Sequence, residues 1–524
     1  MRYELLDPIE RLARERFGLP GLRPMQRIVI DSILQAESAA MDSEAPRHRL
    51  AVLPTGAGKS VCFQLPALLL KGPTLVVYPL LSLLADQSRR LEKRGIRHGV
   101  LRGGMEGHAR ETALADAASM DSTIVLATPE MLANDSLARR LKGVGFAHIV
   151  IDEAHALVQW GRSFRPAYLA AGEFAARSGI PIISAFTATA SAETVEELSA
   201  LLFDGKPFQR IVGDPDRPNI RYEVRACASR AAETLKILQD RPGPTLVFRS
   251  SRAGSEILAS ELRRRSSASP IHFYHAGLSR EEKKAREDEF LASSRGVLVA
   301  TCAYGMGVDK PDIRTVIHFD PPESIEAYLQ ESGRAGRDGK EALAVFLKCQ
   351  ETFSRVHARA DAPAYQAIRS EERAATLKAY ARAGAGCRRA FLLERMGSRL
   401  GPSGSGDCGN CDFCDPPALR KASEGEAIFR WVRSNSGRYR RQELSQALSA
   451  GGPGWGSMER DDADEALSGF LRAGTLSIRR RGFWKGLVVA EPSVLEGGSV
   501  LRVAQHAALA RLVLGGGGFL LGLP

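Results

Sequence analysis

Short apolar runs recur along the first two thirds of the chain, each followed by a stretch with helical spacing. Leu50–Leu53, Thr74–Tyr78, Thr123–Ala127, His148–Ile151 and Ile182–Ala185 read as strands, and Val61–Leu70 reads as an apolar helix. Alternation of this kind predicts a parallel sheet with helices on both faces. A turn-rich linker, Asp214-Pro215-Asp216-Arg217-Pro218-Asn219, interrupts it. The alternation then restarts with Thr245–Phe248, Ile271–Tyr274, Val297–Ala300, Thr315–Phe319 and Ala342–Phe346. The pattern therefore predicts two α/β domains in tandem, over residues 1–206 and 207–350, with a ligand cleft between them.

From Glu351 the strands stop. A helical pattern leads into a cysteine cluster and is broken at Pro416-Pro417, which outlines a helical module over 351–418. Glu424–Arg433, Arg440–Ala450 and Asp461–Ala473 then read as helices, and Thr475–Arg479 with Lys485–Val489 as a hairpin. Three helices and a β-wing predict a winged helix over 419–495, with a glycine-rich tail over 496–524. No repeat of solenoid period is present.

Composition narrows the class. A chain of 524 residues suggests three or four domains, and 44% hydrophobic with 25% charged residues describes an ordinary globular protein. The first residues, Met-Arg-Tyr-Glu-Leu-Leu-Asp, lack the apolar core of a secretory signal. No uncharged apolar stretch of about 18 residues occurs, so no membrane span is expected. The expectation is a cytoplasmic protein that makes no membrane contact. A net charge of +11 favours a polyanionic partner. Of eight cysteines, Cys62, Cys227, Cys302 and Cys349 are scattered, whereas Cys387, Cys408, Cys411 and Cys414 cluster. In a reducing compartment such a cluster reads as metal ligands.

The chemistry is concentrated at two places in the first domain. Thr55-Gly56-Ala57-Gly58-Lys59-Ser60 lies between an apolar strand and an apolar helix. Leu53 replaces the first glycine of the strict P-loop, but the core remains, and its backbone N–H groups suit nucleotide phosphates. Asp152-Glu153, with Ala154 and His155, follows the strand His148–Ile151. Such a pair can hold magnesium and orient an attacking water. Alone, the first is a glycine-rich turn with a surface lysine and the second an acidic helix start. Together they point to hydrolysis of a nucleoside triphosphate.

The second domain has no phosphate loop. Before its last strand it carries Gln330-Glu331-Ser332-Gly333-Arg334-Ala335-Gly336-Arg337-Asp338-Gly339. An exposed basic loop is the ordinary reading of such a run. Its position suits an arginine finger reaching a phosphate across the cleft, with Arg337 in that role and Arg334 beside it.

From Gly21 to Ala490 the chain resembles the RecQ family of DNA helicases. Leu22-Arg23-Pro24-Met25-Gln26 looks like the family's adenine-reading motif, which implies that Arg23 and Gln26 contact the base. Tyr78-Pro79-Leu80-Leu81-Ser82-Leu83 and Ala127-Thr128-Pro129-Glu130 look like its strand-binding motifs. Phe186-Thr187-Ala188-Thr189-Ala190 looks like its coupling motif. Ala300 to Pro311, with Gly307 and Asp309, looks like the element linking nucleotide to strand. Gln159-Trp160-Gly161-Arg162-Ser163-Phe164-Arg165-Pro166-Ala167-Tyr168 looks like the aromatic-rich loop that sets this family apart. Three aromatics among arginines can stack on bases and hold phosphates, and Trp160, Phe164 and Arg165 are the leading candidates. The bland alternative is an aromatic cluster in the core. The resemblance implies an ATP- and magnesium-dependent motor on single-stranded and duplex DNA, moving 3′→5′, in repair and recombination, with His155, Thr187 and Thr189 in DNA coupling.

The cysteines agree with it. Cys387, Cys408, Cys411 and Cys414 supply four thiolates with no open position, which suits a structural zinc ion. Some features depart from the family. Extra residues lie around Ala36 to Arg47, the winged-helix region is short, and no helical bundle is recognisable after Val489. The helix that would read DNA opens with Met458-Glu459-Arg460-Asp461-Asp462-Ala463-Asp464-Glu465, whose acids repel phosphate. Positive charge lies instead on Arg438-Tyr439-Arg440-Arg441 and on the wing tip, with Arg480, Arg481, Phe483 and Trp484. The two wing aromatics either cap a base pair at a fork or pack into the module. Two other functions compete: an RNA helicase or remodeller, and a nucleic-acid-binding scaffold without a motor. Protein partners are not legible in the sequence.

Overall fold

The apolar runs of the first half lie side by side, every one parallel to its neighbours. Strands β1 (His48–Val52), β2 (Thr74–Val77), β3 (His98–Leu101), β4 (Ile124–Ala127), β5 (His148–Ile151), β6 (Ile182–Thr187) and β7 (Phe208–Val212) form one sheet. Their order is β3-β4-β2-β5-β6-β1-β7. The structure is a computed structural model. It describes residues 7–38, 46–161, 166–188, 192–266, 270–305, 310–349, 364–382, 386–398, 400, 407–415, 424–453, 460–472, 476–478 and 487–490.

The five inner strands are buried at every position. A parallel strand covered on both faces has no wet side, so it reads as a continuous apolar run. Successive residues still point to opposite faces. Leu50 and Val52 enter one core layer, and Ala51 and Leu53 the other. The edge strands β3 and β7 are partly exposed and carry polar residues, which hid them from the apolar pattern.

The second sheet is built likewise from β8 (Ile220–Ala226), β9 (Thr245–Phe248), β10 (Ile271–Tyr274), β11 (Val297–Ala300), β12 (Thr315–His318) and β13 (Ala342–Lys348). Its order is β10-β11-β9-β12-β13-β8, all parallel. Two expectations are corrected here. Strand β7 pairs with β1, so the first domain extends beyond residue 206 and the crossover lies in the Asp214–Asn219 linker. The helix expected over Val61–Leu70 runs only from Lys59 to Gln64. Pro66 has no N–H to continue it, and Pro66–Leu68 tightens into a 3-10 turn.

Beyond the second sheet stand helices Ala364–Tyr380 and Arg388–Arg395, then the four-cysteine segment. Edge strand β8 anchors that segment. Asp412 N–H donates to the Tyr222 carbonyl (3.2 Å), the Val224 N–H donates to the Asp412 carboxylate (3.3 Å), and Arg221 pairs with Asp415 (2.7 Å). Helices Glu424–Ser434, Arg441–Ser449 and Arg460–Arg472 pack around Ile428, Leu444, Leu467 and Phe470. With the antiparallel pair β14 (Leu476–Ile478) and β15 (Val488–Ala490) they make the winged helix. Ala228 of the second α/β domain joins the same core.

Candidate functional site

The carboxyl ends of β1, β5 and β6 lie at one edge of the first sheet, where parallel α/β sheets place their ligands. The P-loop turn follows β1. Gly56 and Gly58 have φ of +83° and +78°, left-handed values that disfavour side chains. A Cβ on Gly58 would also fall 2.4 Å from Gln26 Nε2. Gln26 is buried, donates to the Ala57 carbonyl (2.9 Å) and accepts from the Arg23 N–H (2.9 Å). Arg23 Nη1 donates to the Gly56 carbonyl (2.8 Å). The two residues expected to read adenine therefore sit directly on the phosphate loop.

Asp152 and Glu153 follow β5. Lys59 Nζ lies 3.3 Å from Glu153 Oε1. Burial, reinforced by the Glu153 charge, pushes the Asp152 carboxyl up to about 7. Burial would raise Glu153 too, but Lys59 and then His155 hold it below its ordinary value. Glu153 has φ +48°, a left-handed value for a non-glycine residue. Strain of this sort costs on the order of 1–3 kcal/mol and persists where the surroundings impose it. Here the Glu153 N–H donates to Asp152 Oδ1 (3.0 Å) and the Ala154 N–H to the Phe186 carbonyl (2.8 Å). A buried acidic pair facing one lysine is a donor set suited to a divalent cation, with Ser60 on the adjoining helix.

His155 links this edge to the coupling motif. Its Nδ1 lies 3.0 Å from Thr187 Oγ1 and 3.5 Å from Glu153 Oε2. Burial lowers its pKa below the ordinary histidine value. Both His155 and Thr187 are buried, so neither presents a surface that a nucleic-acid strand could touch.

The arginine loop of the second domain meets the P-loop. A Cβ on Gly56 would lie 3.6 Å from Arg337 Cγ. Arg334 is 4% exposed, and its Nε has no hydrogen-bond partner among the described residues. Burial, and then the Arg337 charge, pushes Arg334 down to about 10, against an opposing pull from Glu153. Hence a phosphate cradle and an acidic pair of the first domain and two arginines of the second converge on one cleft.

The aromatic loop is described only at its ends. Helix His155–Gly161 contains Trp160, whose side chain lies outside the described residues, as do Phe164 and Arg165. Tyr168, on helix Pro166–Arg177, is buried, and its hydroxyl donates to the Pro79 carbonyl. Of the three aromatics, this one is a core strut to the strand-binding motif at Tyr78–Leu83, not a platform for bases. Thr189, Gly307, Asp309, Arg480, Arg481, Phe483 and Trp484 also lie outside the described residues.

The sulfurs of Cys387, Cys408, Cys411 and Cys414 all lie within 4.8 Å of one another. Backbone N–H groups of Ala390, Asn410, Cys408 and Cys414 point at Cys387, Cys408, Cys414 and Cys411 at 3.3–3.4 Å. Donors aimed at sulfur favour thiolates. Four sulfurs so placed fit a closed tetrahedral zinc site.

In the winged helix, Arg438, Arg440 and Arg441 are exposed, and Arg440 pairs with Leu487 beside β15. This basic segment therefore runs along the foot of the wing. Within the acidic helix start, Asp462 is buried against Arg265 and Ser229 of the second domain. Sequence reading missed Arg265, which closes a run of three arginines at the end of helix Arg252–Arg265.

Comparison with known proteins gives the same outline. Residues 23–198 match the DEAD/DEAH box helicase family and residues 229–339 the helicase conserved C-terminal domain. The chain is 35% identical over 351 residues to a probable ATP-dependent DNA helicase, RecS, of Bacillus subtilis, covering 66% of this chain and 68% of that one. It is 32% identical to the ATP-dependent DNA helicase RecQ of Haemophilus influenzae, covering 76% of this chain and 62% of that one. The chain belongs to the RecQ family of DNA helicases. It spans about two thirds of the length of these two relatives. The solved structure of the DUF1998 helicase MrfA bound to DNA shares the fold at a TM-score of 0.55 and 18% identity, covering 94% of this chain and 63% of that one. Within the RecQ family fold, the two parallel sheets are the RecA-like motor domains, followed by the four-cysteine module and the winged helix.

Proposed function

We propose that this RecQ-family chain couples ATP hydrolysis to 3′→5′ travel along one DNA strand and unwinds duplexes in repair and recombination. The observation that carries the reading is the approach of Arg337 to Gly56 across the interdomain cleft. An arginine of one domain packed on the phosphate loop of the other gives the γ-phosphate a reason to join the two domains, and its loss a reason for them to part.

In this reading Lys59 and the loop Thr55–Ser60 hold the phosphates, and Arg23 and Gln26 face the adenine. Ser60 and Asp152 would hold magnesium, which would supply neutralisation of the phosphate charge. Lys59 now occupies Glu153. ATP phosphates compete for that lysine and leave the Glu153 carboxylate to take a proton from the attacking water. Arg337, with Arg334, stabilises charge on the transferring group. His155 and Thr187 carry the change in Glu153 towards the DNA side, with Thr189, Gly307 and Asp309 assigned to the same relay by resemblance. Trp160, Phe164 and Arg165 grip single-stranded DNA, and the basic wing region grips the duplex. Zinc on the four cysteines is structural. A cytoplasmic location follows from the same reading.

The test compares ATP hydrolysis with single-stranded DNA and with RNA of the same sequence. Strong stimulation by DNA and weak stimulation by RNA supports a DNA motor. The reverse supports an RNA remodeller, and no hydrolysis with either supports a scaffold.

A further inference from the structure

The linker between the motor domains is more than a tether. Arg217 sits at its centre, part-buried, and among the described residues its guanidinium donates only to main-chain carbonyls. Nη1 donates to Gly333 O (3.0 Å) and to Thr55 O (3.4 Å), and Nη2 donates to Ala335 O (2.9 Å) and Gly336 O (2.9 Å). Three of these carbonyls belong to the loop that carries Arg334 and Arg337, and the fourth to the P-loop. Among the described residues no carboxylate takes part. A cation held only by carbonyls beside other arginines is not there for an ion pair; its planar fork fixes the shape of a backbone.

The rest of the linker supports that geometry. Asn219 Nδ2 donates to Gly336 O and Lys340 O, each at 2.8 Å. Gly336 has φ +53°, and a Cβ there would meet Asn219 Nδ2 and Lys340 O at 2.6 Å, so the loop is moulded to the linker. On the linker's other side, Asp216 pairs with Arg389, and Pro218 O accepts from Asn410 Nδ2 (3.1 Å). Arg389 and Asn410 lie next to cysteines of the four-cysteine module.

We propose that Arg217 is a positioning residue for hydrolysis: it clamps the Gly333–Gly336 backbone to the P-loop and so aims Arg337 at the phosphate. The clamp rests on the ATP-hydrolysis reading above. Arg217 touches no reacting atom in this role. Its effect passes through the loop that carries Arg334 and Arg337.

The test uses the full chain and four variants: Arg217→Gln, Arg217→Lys, Arg337→Ala and the Arg217→Gln/Arg337→Ala double. Fluorescent ATP-analogue binding, DNA-stimulated turnover and hydrogen exchange of the Gly333–Gly339 amides are measured. A misplacement of about 1 Å at a catalytic group costs roughly 10²-fold in rate. Arg217→Gln should therefore lose about 30- to 100-fold in kcat while the ATP-analogue Kd changes less than about threefold. Its Gly333–Gly339 amides should exchange faster, and Arg217→Lys should recover part of the rate. The losses of the two single variants should not multiply in the double variant, because both act through the same loop. Wild-type kcat in Arg217→Gln, losses that multiply in the double variant, or a loss confined to Kd would each overturn the clamp. So would failure of both Arg217 variants to fold, which would make the residue part of the core. If the wild-type chain itself hydrolyses nothing, the fault lies with the ATPase reading instead.

Discussion

Arg265 holds Asp462 through two hydrogen bonds of 2.9 and 2.6 Å, and Asp462 is 2% exposed. One acid at the start of the helix that would ordinarily read DNA thus serves as an anchor on the second motor domain. Ser229 adds a third bond to the same carboxylate (2.7 Å). Removing one partner of a buried pair costs about 3–5 kcal/mol, because the other charge is left without compensation. Asp462→Ala should detach the winged helix before the motor unfolds. Limited proteolysis should then cut between the four-cysteine module and Glu424 at protease levels that spare the wild type. Equal resistance in both proteins would mean that the pair does not hold the module.

Arg337→Ala should reduce turnover far more than ATP binding. An arginine finger contributes roughly 10³–10⁵ in rate, equivalent to about 4–7 kcal/mol. Single-turnover hydrolysis together with equilibrium nucleotide binding checks this. Near-normal hydrolysis would remove Arg337 from the role and leave Arg334, the more deeply buried of the two, as the candidate.

The aromatic loop yields a contrast between neighbours. Trp160→Ala and Phe164→Ala should keep basal hydrolysis and stability but lose stimulation by single-stranded DNA. Stacking of a base is worth about 1–3 kcal/mol, so DNA affinity should fall only modestly. Tyr168→Ala should instead lower stability, by about 3–5 kcal/mol on the scale of large aromatic truncations in cores. Thermal melting and DNA-stimulated ATPase, measured on all three, separate the roles. Unchanged stimulation in both loop variants would refute base contact.

One zinc ion per chain is expected. Cys408→Ser should lower zinc content in elemental analysis and expose the segment beside β8 to protease, since Asp412 and Asp415 hold that segment to Tyr222 and Arg221. A purified chain without metal, with the segment still protected, would contradict the assignment.

Legibility followed burial. The inner strands of both sheets were readable because strands covered on both faces are apolar throughout. The edges β3, β7 and β8 were not. In β8, Arg221, Glu223 and Arg225 alternate with apolar residues and neutralise one another, a pattern that the apolar-run rule passes over. The phosphate loop and acidic pair were readable because their chemistry demands those residues in local order. Tyr168 could not be told from its two aromatic neighbours because aromatic character alone does not reveal which side of a loop is dry. Arg217 and Arg265 were passed over because their partners are distant in sequence: carbonyls of the arginine loop for one, an aspartate in another module for the other.

The central claim is an ATP-driven motor with a direction on DNA. Strand separation of two duplexes, identical but for a 3′ or a 5′ single-stranded tail, tests it most directly when followed with ATP and magnesium. The account predicts rapid opening of the 3′-tailed duplex, little opening of the 5′-tailed one, and none of either with Lys59→Ala. Equal opening of both, preference for the 5′ tail, or opening that survives Lys59→Ala would contradict it.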